Sequence, residues 1–239
     1  MLGIDFSLQA DEQLSATEHI PILDKLSNIC SLSLTYNYLK GHDKELNLIN
    51  SIKAMPHLKK LNLSGNMLKS YAHWYVPATM RELVLGNVYP TNESLKLIGE
   101  TCGAALHHIR LSDNAINARL DGLNELLKQC KTLKSIDLSG NQLTSHAETL
   151  KMIFALRKVE QTLESVTLSH NMFREEERVS IIAEMSKFAC LTELFLGPFL
   201  PDLLLSEDIL RNERRILTHN LKRPDISMLW ITTPVARVL

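Results

Sequence analysis

The stretch Leu133-Lys134-Ser135-Ile136-Asp137-Leu138-Ser139-Gly140-Asn141-Gln142-Leu143 sets the frame for the whole chain. Its pattern, LKSIDLSGNQL, returns as ICSLSLTYNYL from Ile29, LKKLNLSGNML from Leu58, LHHIRLSDNAI from Leu106 and LESVTLSHNMF from Leu163. Looser copies begin at Met1 (MLGIDFSLQAD), Met80 (MRELVLGNVYP) and Leu191 (LTELFLGPFLP). The starts are separated by 28, 29, 22, 26, 27, 30 and 28 residues. Positions 1, 4 and 6 of the eight copies are 24 residues, and every one is apolar. With 45% of the chain hydrophobic, chance would give that about once in 10⁸.

Successive strand residues face opposite sides, so positions 4 and 6 point to a core while 3, 5 and 7 point away from it. Position 9 is Asn37, Asn66, Asn114, Asn141 or Asn171 in five copies. There the chain leaves the strand, and a buried amide can satisfy backbone donors and acceptors that lose their ladder partners. Gln9, Val88 and Phe199 take that place in the other copies, so those turns should differ.

This pattern resembles the leucine-rich repeat, L-x-x-L-x-L-x-x-N-x-L. The steps near 28 residues resemble the ribonuclease-inhibitor type, with helices on the convex side. Helical faces are expected at Leu120, Leu123, Leu126 and Leu127, at Leu150, Ile153 and Phe154, and at Leu46, Ile49 and Ile52. Ser145-His146-Ala147-Glu148 reads as a capping box, and Arg174 to Arg178 sets three glutamates in a first helical turn. Helices pack at about 10 Å and strands at about 4.8 Å, so a regular stack bends with its strands inside. The expected fold is therefore α/β, a leucine-rich-repeat solenoid or horseshoe with a parallel concave sheet and convex helices. It forms one domain over 1–239: a capping repeat at 1–28, repeats at 29–200 and a helix–strand cap at 201–239, the last strand being Ile226 to Ile231.

One unit breaks the rhythm. The step from Leu58 to Met80 is 22 residues, and its convex part, SYAHWYVPATM, has no helical periodicity. Val76-Pro77-Ala78-Thr79-Met80-Arg81-Glu82-Leu83 resembles the short Leu-Pro repeats of proteins that bacterial pathogens inject into host cells. Trp74, Tyr71 and Tyr75 lie in the same irregular segment, as core filling or as a contact.

Composition narrows the function. Twenty-six Lys and Arg against 27 Asp and Glu give a net charge of −1, which provides no electrostatic case for nucleic acid. No apolar run approaches the length of a membrane span, and the N-terminus lacks an export-signal pattern. Cys30, Cys102, Cys130 and Cys190 are widely spaced, as expected of reduced thiols in a reducing, cytoplasmic compartment, with the last three read as core residues near helix ends. His107 and His108, as strand neighbours, face opposite ways and cannot share a metal. Asp137, Ser139 and His108 lie on one face, but nothing in their spacing marks a hydrolase triad. No catalytic residue, cofactor or metal is expected. The repeats and caps take up the chain, so the ubiquitin-ligase domain of some bacterial leucine-rich-repeat proteins is not expected either.

What remains is the concave surface. Its expected partner-binding residues are Tyr36, Lys59, Lys60, Arg81, Glu82, His107, His108, Arg110, Lys134, Asp137, Glu164, His170 and Phe195. Lys59, Arg81, His107 and Lys134 form a position-2 stripe suited to an acidic partner. Tyr36, Tyr38, Tyr89 and Phe195 flank the strand ends, as anchors or as packing. The leading expectation is a non-catalytic, monomeric module that grips one protein, an enzyme with an acidic patch, and blocks it. The resemblance to injected repeat proteins points to an effector or its regulator, delivered to a host cytosol. The alternative is an adaptor bridging two proteins.

Overall fold

The computed structural model describes residues 2–5, 28–37, 39, 50–66 and 76–197. Eight strands appear among them, β1 (Leu2–Asp5), β2 (Ile29–Ser33), β3 (Lys60–Asn62), β4 (Glu82–Val84), β5 (His108–Arg110), β6 (Ser135–Asp137), β7 (Ser165–Thr167) and β8 (Glu193–Phe195). They form one sheet in sequence order, every neighbouring pair parallel. The register follows the sequence frame: Leu32, Leu61, Leu83, Ile109, Ile136, Val166 and Leu194 pair in one line at position 4. From the repeat at Ile29 onward, positions 1, 4 and 6 are all buried.

Parallel neighbours require a crossover, and the described ones carry helices α1 (Asn92–Cys102), α2 (Leu120–Gln129), α3 (His146–Leu156) and α4 (Glu175–Met185). All pack on one side of the sheet, so the core lies between strands and helices and the opposite face stays open. In α2 the buried face is the expected one, Leu120, Leu123, Leu126 and Leu127. Ser145 caps α3 in a complete box: Glu148 N donates to its Oγ, and Ser145 N donates to the Glu148 carboxylate. At α4, Arg174 N donates to Glu177 Oε2 at 2.8 Å, and Glu177 and Arg178 are both buried.

The face of α3 differs from expectation. Ile153 is buried, but Leu150 is 49% and Phe154 57% exposed. The core takes Thr149, Met152, Ile153 and Leu156, the i, i+3, i+4, i+7 stripe that runs the helix's full length. Thr149 is tolerated there because its hydroxyl donates to Ser145 O at 3.1 Å. Cys102 and Cys130 are buried as expected, whereas Cys190 is half-buried and lies beyond the end of α4.

Residues 50–53 are helical with Ile52 buried, but Leu46 and Ile49 lie outside the described residues. So do Trp74, Tyr71, Tyr75, Tyr38, Gln9, Phe199 and the expected cap at 201–239. The short unit's described end is a turn, with Met80 N donating to Pro77 O at 3.0 Å and Val76 and Pro77 buried.

Candidate protein-interaction face

Behind the open face runs a line of amides, buried at Asn66, Asn114 and Asn141 and half-buried at Asn171. Asn141 Nδ2 donates to Leu111 O of the preceding repeat at 2.9 Å, while its Oδ1 accepts from Asn114 N and Ile116 N at 2.9 and 3.1 Å. Asn171 serves Asn141 in the same way, and Asn114 reaches Leu85 O, Val88 N and Tyr89 N. Each asparagine thus ties its turn to the one before it, removing backbone groups that would cost about 1–3 kcal/mol apiece if buried unpaired. Val88 interrupts the line. Asn66, whose successor lacks the amide, turns to its own repeat's Leu63 O at 2.7 Å. Asn171, which precedes the copy carrying Phe199, does the same toward Leu168 O at 2.9 Å. Asn114 and Asn141, which have asparagine successors, bond Ser112 O and Ser139 O instead.

At position 8 the backbone enters the left-handed region in every described repeat: Tyr36, Gly65, Asn87, Asp113, Gly140 and His170. Glycine takes that conformation without strain. At Gly65 a second constraint acts, because a Cβ there would lie 2.4 Å from the Tyr36 ring. Tyr36 therefore packs on the next repeat's turn while remaining 43% exposed.

None of the expected partner-binding residues is buried, and all stand on or beside the open face. His107 precedes β5, so it and His108 line the same space, their ring centroids 6.4 Å apart, and do not face opposite ways. Their charges, however, are largely matched across strands. Lys60 pairs with Glu82 at 2.6 Å, Arg110 Nε with Asp137 at 3.0 Å and Lys134 with Glu164 at 2.8 Å. The Glu164 hydrogen bond raises the Lys134 pKa above its ordinary value. Arg81 Nη1 donates to His107 Nε2 at 3.2 Å, and His107 Nδ1 lies 2.7 Å from Ala105 O. A guanidinium only donates and a carbonyl only accepts, so this geometry places the imidazole proton on Nδ1 and leaves Nε2 bare. The stripe Lys59, Arg81, His107 and Lys134 is consequently a continuous basic field only in its N-terminal part. Asp137 Oδ1 accepts from Ser139 Oγ at 2.6 Å, so the serine hydroxyl is directed to a carboxylate rather than to His108. Among the described residues no three His, Cys, Asp or Glu side chains gather as a metal would need.

Sequence reading did not identify the depression in this face. A cavity of about 400 Å³ is lined by Gly3, Cys30, Ser31, Lys59, Lys60, Arg81, Glu82, His107 and His108. A shallower one of about 110 Å³ adjoins it, sharing Glu82 and His108 and reaching Arg110, Ser135 and Asp137. The signal was the small residues Gly3, at position 3 of the first repeat, and Cys30 and Ser31, at positions 2 and 3 of the second, followed by a basic run. On the helical side, sequence reading also missed exposed Leu150 and Phe154, the latter with Lys158 Nζ 4.2 Å above its ring. No described helix is long and apolar enough to cross a membrane.

The model of the leucine-rich-repeat family matches residues 132–152, the stretch from the most regular strand into α3. No curated protein matches the sequence. Among solved structures, a Bacteroides fragilis protein superposes with a TM-score of 0.54 at 12% identity, covering 90% of this chain and 72% of that one. Internalin C2 of Listeria monocytogenes gives 0.43 at 16% identity, covering 77% and 70%. The C-terminal domain of tropomodulin from Caenorhabditis elegans gives 0.37 at 9%, covering 87% and 93%. At 12% identity the likeness to the Bacteroides fragilis protein concerns fold alone. The repeat match and the eight-stranded parallel sheet make the described chain an α/β leucine-rich-repeat solenoid.

Proposed function

We propose that the protein is a non-catalytic binding module whose open sheet docks one partner protein and, when that partner is an enzyme, blocks it. The supporting observation is that the sheet's outward positions carry exposed, chemically varied side chains around a cavity of about 400 Å³ while contributing nothing to the core. Eight strands at about 4.8 Å span roughly 38 Å, enough for a standard patch of about 800 Å² per partner. Lys59 and Arg81 at its N-terminal end, which meet no carboxylate among the described residues, suit an acidic patch. We place the module in a reducing cytosol as a monomer. The resemblance of Val76–Leu83 to injected bacterial repeats favours an effector or effector regulator, acting in a host cell.

A second reading, an adaptor, has its own observation. Leu150 and Phe154 form an exposed apolar pair on α3, on the side of the sheet opposite the open face. Two partners bound at once would need two such separate surfaces.

The test is capture of the partner followed by charge reversal. Arg81→Glu, Arg110→Glu and Lys134→Glu together should abolish binding without unfolding the chain, and the wild-type protein should suppress the partner's activity in a direct assay. Unchanged affinity in the triple variant would remove the concave-face reading. Loss of binding on Leu150→Ser with Phe154→Ser, with the concave triple silent, would favour the adaptor.

A further inference from the structure

We infer that the larger cavity is a subsite for a phosphorylated side chain of the partner protein, an inference that rests on the concave-face docking reading and names what that face takes. Among the described residues three cations line the cavity with one acid, Glu82, and that acid is already paired with Lys60. Lys59 and Arg81 have no carboxylate partner among the described residues. Among the described residues, two positive charges without a carboxylate therefore face one space, beside His107 and His108. A carboxylate would neutralise one of them. A phosphomonoester carries about −1.5 to −2 at pH 7 with three acceptor oxygens, and matches both.

The donors are also arranged in advance. Ala105 O holds His107 Nδ1 at 2.7 Å, and His107 Nε2 holds Arg81 Nη1 at 3.2 Å. This fixes the guanidinium through one N–H and leaves the remaining donors of its planar fork for an oxyanion. Gly3, Cys30 and Ser31 leave room between the longer side chains. A volume of about 400 Å³ lies within the 300–1,000 Å³ typical of ligand pockets, enough for a whole phosphorylated side chain rather than a bare ion. The adjoining depression toward Arg110 gives flanking residues of an extended peptide a place to lie. A nucleic-acid strand fits less well, because its row of phosphates needs a continuing basic track. Here the track ends where Arg110 pairs with Asp137 and Lys134 with Glu164.

The test is fluorescence anisotropy with degenerate peptides carrying a central phosphotyrosine or phosphoserine, against their unphosphorylated and glutamate twins. One phosphopeptide set should bind at least about tenfold tighter than either twin and be displaced by inorganic phosphate. Arg81→Gln and Lys59→Gln should each weaken it about tenfold, while Lys151→Gln on α3 leaves it unchanged. Equal binding of the twins, wild-type affinity in both cavity variants, or tighter binding of a single-stranded RNA oligonucleotide would overturn the inference. A partner whose binding survives phosphatase treatment yet is lost on Arg81→Glu overturns the phosphate subsite alone. One indifferent to every concave substitution overturns the docking reading with it.

Discussion

The two ends of the sheet use one frame differently. From β5 to β8 the asparagine line is continuous through Asn114, Asn141 and Asn171, and the concave charges close on one another as Arg110–Asp137 and Lys134–Glu164. From β2 to β4 the line is interrupted at Val88, a cavity opens, and Lys59 and Arg81 face it without carboxylates among the described residues. The core positions are equally apolar in both regions, so the repeat fixes the scaffold. The turn and outward positions then divide the labour, one end held and neutralised, the other left open and charged.

The largest effect expected from this contrast is on stability. Replacing Asn114 by Ala removes the amide partner of Leu85 O and Val88 N, which are buried among packed turns, and of the half-buried Tyr89 N. At about 1–3 kcal/mol for each unpaired group, with partial relaxation, the loss should be about 4 kcal/mol in urea unfolding. A loss below about 1 kcal/mol would mean that the asparagine line does not hold the turns together.

Thiol labelling should separate the two ends next. Cys102 and Cys130, buried at the C-terminal ends of α1 and α2, have their pKa values raised from 9.0 to about 12, chiefly by burial. Cys30 lines the cavity at the open end and is half-buried. At pH 8 it should react with a thiol reagent about a hundredfold faster than either, and a bound phosphopeptide should slow it. Linkage fixes the sign of the accompanying pH effect. Between 9 and 12 the unfolded chain releases thiol protons that the folded chain retains, so these two cysteines contribute less stability as pH rises through that window. Labelling of Cys102 as fast as Cys30 in the native protein would break the contrast.

How much of this the sequence carried depends on the kind of position. Leu61, Leu83 and Ile136 were legible because burial demands one residue class at one spacing, and each repeat restates the demand. Asn66 and Asn141 were legible for the same reason. The Leu150–Phe154 stripe was misread because a short apolar i, i+4 pair looks the same whether it faces core or solvent. Only the completed helix, with Thr149 bonding Ser145 O, decides between them. The ion pairs and the cavity were not legible. They depend on which side chains meet across strands, and Arg81 with His107 are 26 residues apart. Lys59, Lys60, Arg81 and His107, expected on the concave face, carry the cavity's chemistry, but its room comes from Gly3 and Ser31, whose small side chains mark no contact in a sequence.

A reciprocal exchange sharpens the interruption itself. Asn114→Val should cost about as much as Asn114→Ala, because the same three backbone groups lose their amide. Val88→Asn should stay within about 1 kcal/mol of wild type. The buried valine's packing is lost, but the new amide can meet Asn66 N as Asn141 meets Asn114 N, and can release Asn66 from bonding Leu63 O. A Val88→Asn loss as large as that of Asn114→Val would mean that the site at 88 is shaped for an apolar side chain and is not an empty place in the line.

The smallest effect concerns the neutralised end. Arg110 and Asp137 meet at 3.0 Å, but their side chains remain 58% and 21% exposed, so a double-mutant cycle to alanine should give a coupling of about 0.5 kcal/mol in unfolding, fading in high salt. Such a small value is what the contrast requires. The pair then acts on what approaches the face, by cancelling the field beyond β5, and not on whether the face forms. A coupling above about 2 kcal/mol would assign the pair to the scaffold. The neutral C-terminal end would then be a by-product of stability, and the open charge near Arg81 would lose its standing as the feature that distinguishes one end of the sheet from the other.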